Sequence, residues 1–202
     1  MPGSIFDRDR LIIKSLDERK NQIIFRDKMV TPAFRPDNLP DETLRIIKET
    51  ASRIIKARKD NKPVILAFGA HTIKNGLSPV LTELIRRGWV THLATNGAGI
   101  IHDWEFAFQG ESGENVRENT AKGQFGIWQE TGLFLNLAIT VGAFENLGYG
   151  ESVGKMISRE GLDIPDMHFL ADQAVKNIKA DPGYAASAAD LLGTIKTVSY
   201  TH

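Results

Sequence analysis

The sequence predicts an α/β protein: a mostly parallel sheet with helices on both faces. Three observations predict it. Short apolar runs that suit buried strands, Pro63–Phe68 and Val90–Thr95, alternate with segments of helical periodicity. The connections between them are short, as in βαβ units. Each strand candidate also runs into a glycine-bearing loop, which is where α/β proteins bring backbone amides close to a phosphate or nucleotide.

Taken in order, the first forty residues read as an N-terminal arm. They are rich in charge and end in a stretch whose prolines, Pro32, Pro36 and Pro40, disfavour helix. The domain proper is expected over 41–202. Asp41 reads as the N-cap of an amphipathic helix in which Leu44, Ile47, Ala51, Ile54 and Ile55 recur at helical spacing to about Arg58. After the strand at Pro63–Phe68 comes the loop Gly69–Gly76. A second amphipathic helix follows, with Leu77, Val80, Leu81, Leu84 and Ile85 on one side. Ser78 and Pro79 read as its N-cap and first turn, and Gly88 as its C-terminal stop.

The second strand candidate continues into THLATNGAGIIHD, Thr91–Asp103, and then into a helical segment that carries His102, Asp103 and Glu105. Residues 111–123 form a polar, glycine-bearing loop of the kind that carries function. Residues 125–147 read as largely helical with Trp128, Leu133, Leu137 and Phe144 turned inward. The tail to about Ile195 reads as helical pieces broken at 161–166 and 181–183.

Composition bounds the function. Twenty-five basic and 25 acidic side chains cancel in 202 residues, which removes the electrostatic case for nucleic acid. There is no cysteine, so no disulfide, thiolate nucleophile or Cys-ligated zinc is available. The N-terminus lacks the apolar core of a secretory signal. The most apolar stretch, Leu133–Phe144, is interrupted by Asn136, Thr140 and Gly142 and is shorter than the roughly 20 residues a bilayer span requires. The chain reads as cytoplasmic, with no membrane partner.

The motifs narrow the reading further. Gly97-Ala98-Gly99 begins a dinucleotide fingerprint, but the third glycine position is His102. The first loop ends in Lys74-Asn75-Gly76 and lacks the order of a P-loop. Spacing alone leaves a nucleotide or phosphate site and plain turns both open. His71, His92, His102 and Asp103 lie near the strand ends without a paired metal-ligand spacing, so no metal site is expected. No serine sits in a GxSxG elbow.

The run VILAFGAHTIKNGLSPVLTELIRRGWVTHLATNGAGIIHDWEFAFQ, Val64–Gln109, together with ENTAKGQFGIWQETG, Glu118–Gly132, resembles deoxyhypusine synthase and its bacterial deoxyhypusine synthase-like relatives. The similarity covers about Pro40 to Phe144. The resemblance implies a Rossmann-like NAD-binding fold, a homo-oligomer (dimer or tetramer) and active sites at subunit interfaces. It also implies a chemistry: NAD oxidises spermidine or a related polyamine, a lysine of the enzyme captures the aminobutyl group as an imine, and the group passes to an acceptor amine, such as a lysine of a protein. On this sequence the family's first NAD-contacting loop falls on Gly69, Ala70, His71, Lys74, Asn75 and Gly76. Its second falls on Asn96, Gly97, Ala98, Gly99, Ile101, His102 and Asp103.

Two acidic positions of that second loop are Ile101 and His102 here. The family's catalytic lysine has no counterpart before His202, and the chain is expected to be the N-terminal portion of a longer protein. The candidate catalytic side chains are His102, an imidazole that titrates near neutrality, and Asp103. Their plainer readings are a helix-surface histidine hydrogen-bonded to the loop and a first-turn carboxylate favoured by the helix dipole. Glu105, Glu118, Lys122 and Glu130 line the pocket or form a solvated face. The expected function is a deoxyhypusine synthase-like, NAD-dependent aminobutyl transferase. The alternative is a noncatalytic NAD- or nucleotide-binding protein or an assembly subunit.

Overall fold

The computed structural model describes residues 10–199. These fall into two units, one formed by Asn21–Gly113 and the other by the described residues up to Lys20 together with those from Glu114 onward.

The Asn21–Gly113 unit holds β1 (Ile23–Ile24), α1 (Phe25–Lys28), α2 (Asp41–Lys59), β2 (Ile65–Ala67), α3 (Ala70–Lys74), α4 (Ser78–Arg86), β3 (His92–Ala94), α5 (Gly97–Gln109) and β4 (Glu111–Ser112). Parallel pairing sets Ile65 opposite His92, Leu66 opposite Leu93 and Ala67 opposite Ala94. Antiparallel pairing sets Ile23 opposite Ser112 and Ile24 opposite Glu111. The core gathers Ile73, Leu81 and Phe106, with Ile23, Phe25, Leu66 and Phe68 packed against them. The Phe25 and Phe106 rings lie 5.0 Å apart.

This architecture overturns the Rossmann-like expectation. Of the described residues 60% are helical and 6% are strand, and the described strands make only two two-stranded sheets. The two apolar runs do pair in parallel, but each shortens to three residues. Their side chains are largely exposed rather than sandwiched between helix layers, with Ile65 at 66% and Leu93 at 40%. Among the described residues no further strand joins this pair, and the longer apolar segments recur at helical spacing instead.

Local chemistry sets the joints. Pro40, not Asp41, occupies the N-cap of α2, and Asp41 and Glu42 stand in its first turn, where the dipole favours anions. Leu77 caps α4, which places Ser78 and Pro79 inside the helix. Gly88 follows α4 with φ of 72°. Gly76 has φ of 78° and passes so close to α1 that a Cβ there would stand 2.1 Å from the Lys28 carbonyl oxygen. Across that contact the Val30 N–H donates to the Gly76 carbonyl at 2.9 Å.

The other unit is helical. A 3-10 turn at Leu16–Glu18 precedes the gap in sequence. After it come α6 (Val116–Ala121), α7 (Gln129–Phe144), α8 (Tyr149–Arg159), α9 (Met167–Lys176) and α10 (Pro182–Ser199). Val141, Leu170, Ala188 and Leu191 form its core. On α7 the buried positions are Leu135, Ala138, Val141 and Gly142, spaced for one helix face, while Leu133, Leu137 and Phe144 are half-buried. Gly142 lets α8 close on α7: a Cβ there would stand 1.8 Å from the Ser152 hydroxyl oxygen. Glu130 anchors the start of the chain by accepting the Leu16 N–H at 2.5 Å and the Ser15 hydroxyl at 2.8 Å. Among the described residues no helix is long and apolar enough to cross a membrane.

Candidate functional site

The helix α5 is built at both ends by short polar rules. The Asn96 side chain accepts the Gly99 N–H at 3.1 Å, an N-cap that fixes where β3 turns into helix. Gly99 is needed at that turn, because a Cβ would stand 2.5 Å from the Thr95 hydroxyl oxygen. At the other end Gly110 adopts a left-handed conformation, φ 74°, and the chain reverses at once into β4. Pairing with β1 then holds Ser112 against α5.

That reversal creates a polar line in an otherwise apolar interior, since Glu105 and Ser112 are buried beside Ile73, Leu81, Val90, Trp104 and Phe106. Ser112 is fully buried, and its hydroxyl donates to the Glu105 carboxylate at 2.5 Å. The same oxygen meets Nδ1 of His102 at 2.6 Å. His102 and Glu105 stand three residues apart on α5, the spacing that puts two side chains on one face. A hydroxyl has a single proton. With that proton given to Glu105, Nδ1 must carry its own and donate, which leaves Nε2 as the acceptor nitrogen of the neutral ring. The His102 side chain remains 18% exposed while that of Glu105 is 1% exposed, so the line runs from interior to surface.

Asp103 points elsewhere. It accepts the Ser78 hydroxyl from the first turn of α4 at 3.2 Å. Its residue is exposed, yet the surrounding chain desolvates the carboxyl and raises its pKa, while the Ser78 hydrogen bond works in the opposite direction. His102 and Asp103 are thus neighbours in sequence with separate partners.

The two glycine-bearing loops do come together. They follow the carboxyl ends of β2 and β3, where Ala67 lies opposite Ala94 and the Phe68 N–H donates to the Ala94 carbonyl at 2.9 Å. They lead into α3 and α5, whose Ile73 and Phe106 share one core cluster. Gly69 is the N-cap of α3, with nothing within 4 Å of where a Cβ would stand, and Ala70 and His71 open that helix. Asn75 ends it, donating its N–H to the His71 carbonyl at 2.9 Å. Asn96, Gly97 and Ala98 are exposed at the start of α5, whereas Gly76 and Gly99 face the protein's own chain.

His92 lies outside this group, with its Nδ1 2.8 Å from the Thr91 hydroxyl oxygen. Glu118 and Lys122 line an open cavity of about 520 Å³ in the other unit, together with Lys14, Lys20 and Trp128. Glu130 is the anchor described above. Among the described residues no three His, Asp or Glu side chains group as a metal site.

Sequence reasoning missed Ser112 and the role of Ser78. The i,i+3 pair His102 and Glu105, followed by a glycine and a serine just beyond the helix, was the available signal for the first. Nothing local signals the second, because Ser78 and Asp103 meet only through the packing of two helices. Comparison with known proteins finds no matching family model, no matching curated protein and no matching solved structure.

Proposed function

We propose that the protein is an amine-directed transferase in which His102 moves a proton and Asp103 receives a cationic amine. The observation that carries this reading is the line from buried Glu105 through Ser112 to Nδ1 of His102. An imidazole whose Nδ1 proton is committed to a carboxylate-backed hydroxyl presents Nε2 as a positioned base. Asp103 supplies the complementary feature. Its surroundings disfavour the lone anion, and a bound ammonium would restore the missing counter-charge.

The residues at the strand ends fit NAD in part. Gly69, with open space at its Cα, and the exposed turn at Gly97 and Ala98 leave backbone that a phosphate can approach. Gly76 and Gly99 take no part, because each is closed by its own chain. NAD, when bound, would supply a two-electron acceptor for the carbon that bears the amine. Of the protein's own groups, Asp103 holds one ammonium of the polyamine, and His102 Nε2, which has separate partners, accepts the proton lost by a different nitrogen, the one on the carbon being oxidised. For spermidine or a related polyamine, the acceptor amine then adds to the oxidised carbon, the original amine departs with the proton returned from His102, and the two electrons return to that carbon. The aminobutyl group thus stays on the acceptor, and a protein lysine is the acceptor that the resemblance implies.

Incubation with NAD and spermidine, followed at the reduced-nicotinamide absorbance, tests the reading. The expected result is a rise that slows by about a hundredfold in His102→Gln. Thermal stabilisation by NAD without any absorbance change would replace this reading with noncatalytic nucleotide binding. No response of either kind would end both.

A further inference from the structure

Among the helices of the Asn21–Gly113 unit, α2 is the longest at 19 residues, and none of its residues is buried. Its apolar side chains are nevertheless ordered. Leu44, Ile47, Ala51 and Ile55 lie along one stripe at spacings of three and four, and Leu44, Ile47 and Ile55 are 38%, 50% and 41% exposed. The helix is held at its C-terminal end, where the Arg58 guanidinium donates to the Gly88 carbonyl at 2.8 Å and to the Lys62 carbonyl at 2.7 Å. The stripe itself stays open to water.

We infer that this stripe is the interface of a two-fold symmetric dimer, in which α2 pairs antiparallel with α2 of a second copy of the chain. Charge selects that occupant and that orientation. The N-terminal end carries Asp41 and Glu42, whereas the half of the helix beyond Thr50 carries Arg53, Lys56, Arg58 and Lys59 and no acid. Asp41, Lys56 and Lys59 have no ion pair among the described residues.

Two copies crossing at Ala51 set Ile47 of each beside Ile55 of the other, and bring the acidic end of each helix to the Lys56 and Lys59 end of the other. The helix dipoles then oppose each other as well. A parallel pair would instead stack the basic halves and the acidic ends on themselves. Ala51 is the smallest side chain of the stripe, so the backbones approach most closely where the axis passes. A patch that complements itself about one residue is what an isologous interface requires. An interface of one helix per copy, about 28 Å long at 1.5 Å per residue, is small, and the dimer is expected to be concentration-dependent.

The chain has no cysteine, so one introduced thiol reports one position. Sedimentation of the full chain over a range rising to high micromolar concentration should give a mass that climbs from one chain to two. Ile47→Glu should hold it at one chain with unchanged helical circular dichroism. Under mild oxidation Ala51→Cys should link two copies, while Ile47→Cys, which the antiparallel arrangement places about 12 Å along the axis from its own counterpart, should link them poorly.

A wild-type chain that stays monomeric throughout, because another segment or another protein covers the stripe, overturns the proposal. So does a dimer that survives Ile47→Glu, or one in which Ile47→Cys links as readily as Ala51→Cys. If Ile47→Glu does not fold, the two cysteine variants decide between the same outcomes.

Discussion

The hydroxyl of Ser112, itself fully buried, donates to the Glu105 carboxylate at 2.5 Å. A carboxylate 1% exposed depends on such donors, since a buried acceptor left without its partner bears its full desolvation penalty. Ser112→Ala is therefore expected to lower stability by about 1–3 kcal/mol, read from urea unfolding. It should also release Nδ1 of His102 from its partner, so that the imidazole nitrogen and ring-proton resonances shift in NMR spectra of the variant. An unchanged unfolding midpoint would mean that Glu105 is satisfied without the hydroxyl.

Glycines at the two strand ends are expected to differ in kind. Gly76→Ala places a methyl 2.1 Å from the Lys28 carbonyl oxygen at a positive φ, and the combined strain and clash should cost about 3 kcal/mol or more. Gly69→Ala meets nothing within 4 Å and should change stability by less than about 0.5 kcal/mol. If Gly69 opens to a cofactor, the same variant should lose NAD-induced thermal stabilisation while its own melting temperature holds. Equal destabilisation by both variants would show that openness at Gly69 has no functional meaning.

The close approach of α7 and α8 gives a paired test. Gly142→Ala sets a Cβ 1.8 Å from the Ser152 hydroxyl oxygen and 2.5 Å from its Cβ, an overpacking expected to cost about 1–3 kcal/mol. Because the Ser152 Cβ is itself part of the clash, Ser152→Gly, rather than Ser152→Ala, should recover part of that loss in the double variant. A double variant whose cost is the plain sum of the two singles would show that the residues do not compete for the same space.

Two carboxylates should leave opposite marks on stability against pH. For Glu130 burial pushes the pKa upward, but the Leu16 N–H, the Ser15 hydroxyl and its own backbone N–H outweigh it and hold the pKa below the usual glutamate value. The stability it adds is present above that ordinary value and is lost as pH falls through the lowered one. Glu130→Gln should therefore cost about 1 kcal/mol near neutrality, allowing for solvent screening, and progressively less as pH falls below the ordinary glutamate value of about 4.3.

Asp103 runs the other way. Desolvation raises its pKa, with the Ser78 hydroxyl opposing, so the native state holds its proton longer than the unfolded chain and stability falls as pH rises through that window. Asp103→Asn should then melt higher than wild type above the window and equally below it. Paired thermal melts across acid and neutral pH check both residues.

Helices were the legible part of this fold. The spacing of Leu44, Ile47, Ala51 and Ile55 does produce a helix over Asp41–Lys59, and the break at 161–166 does separate α8 from α9, whereas the break before α10 falls at 177–181 and Pro182 and Gly183 open that helix rather than interrupt it. What misled was the pair of apolar runs. Periodicity gives the character of a strand but not its length or its neighbours, and among the described residues the three-residue strands at Ile65–Ala67 and His92–Ala94 pair only with each other.

The site was legible in halves. His102, Asp103 and Glu105 were legible as neighbours on one helical segment, whereas the burial of Glu105 and the capping role of Asn96 were not. Ser112 reaches His102 only because Gly110 reverses the chain, and Ser78 reaches Asp103 only because α4 and α5 are neighbours. Contacts of that kind belong to tertiary packing and leave no periodic trace.

The division at Lys20 and Gly113 bears on how the chain matures as it is made. Asn21–Gly113 is a continuous stretch whose pairings, β1 with β4 and β2 with β3, close as soon as Gly113 has left the ribosome. The segment before it has no such freedom. Ser15 and Leu16 must wait for Glu130, and Arg19 for the Trp128 ring 5.7 Å from its guanidinium. Synthesis that proceeds from the N-terminus thus supplies every partner of the Asn21–Gly113 stretch before it supplies Glu130, on which the place of Leu16, 1% exposed in the finished protein, depends.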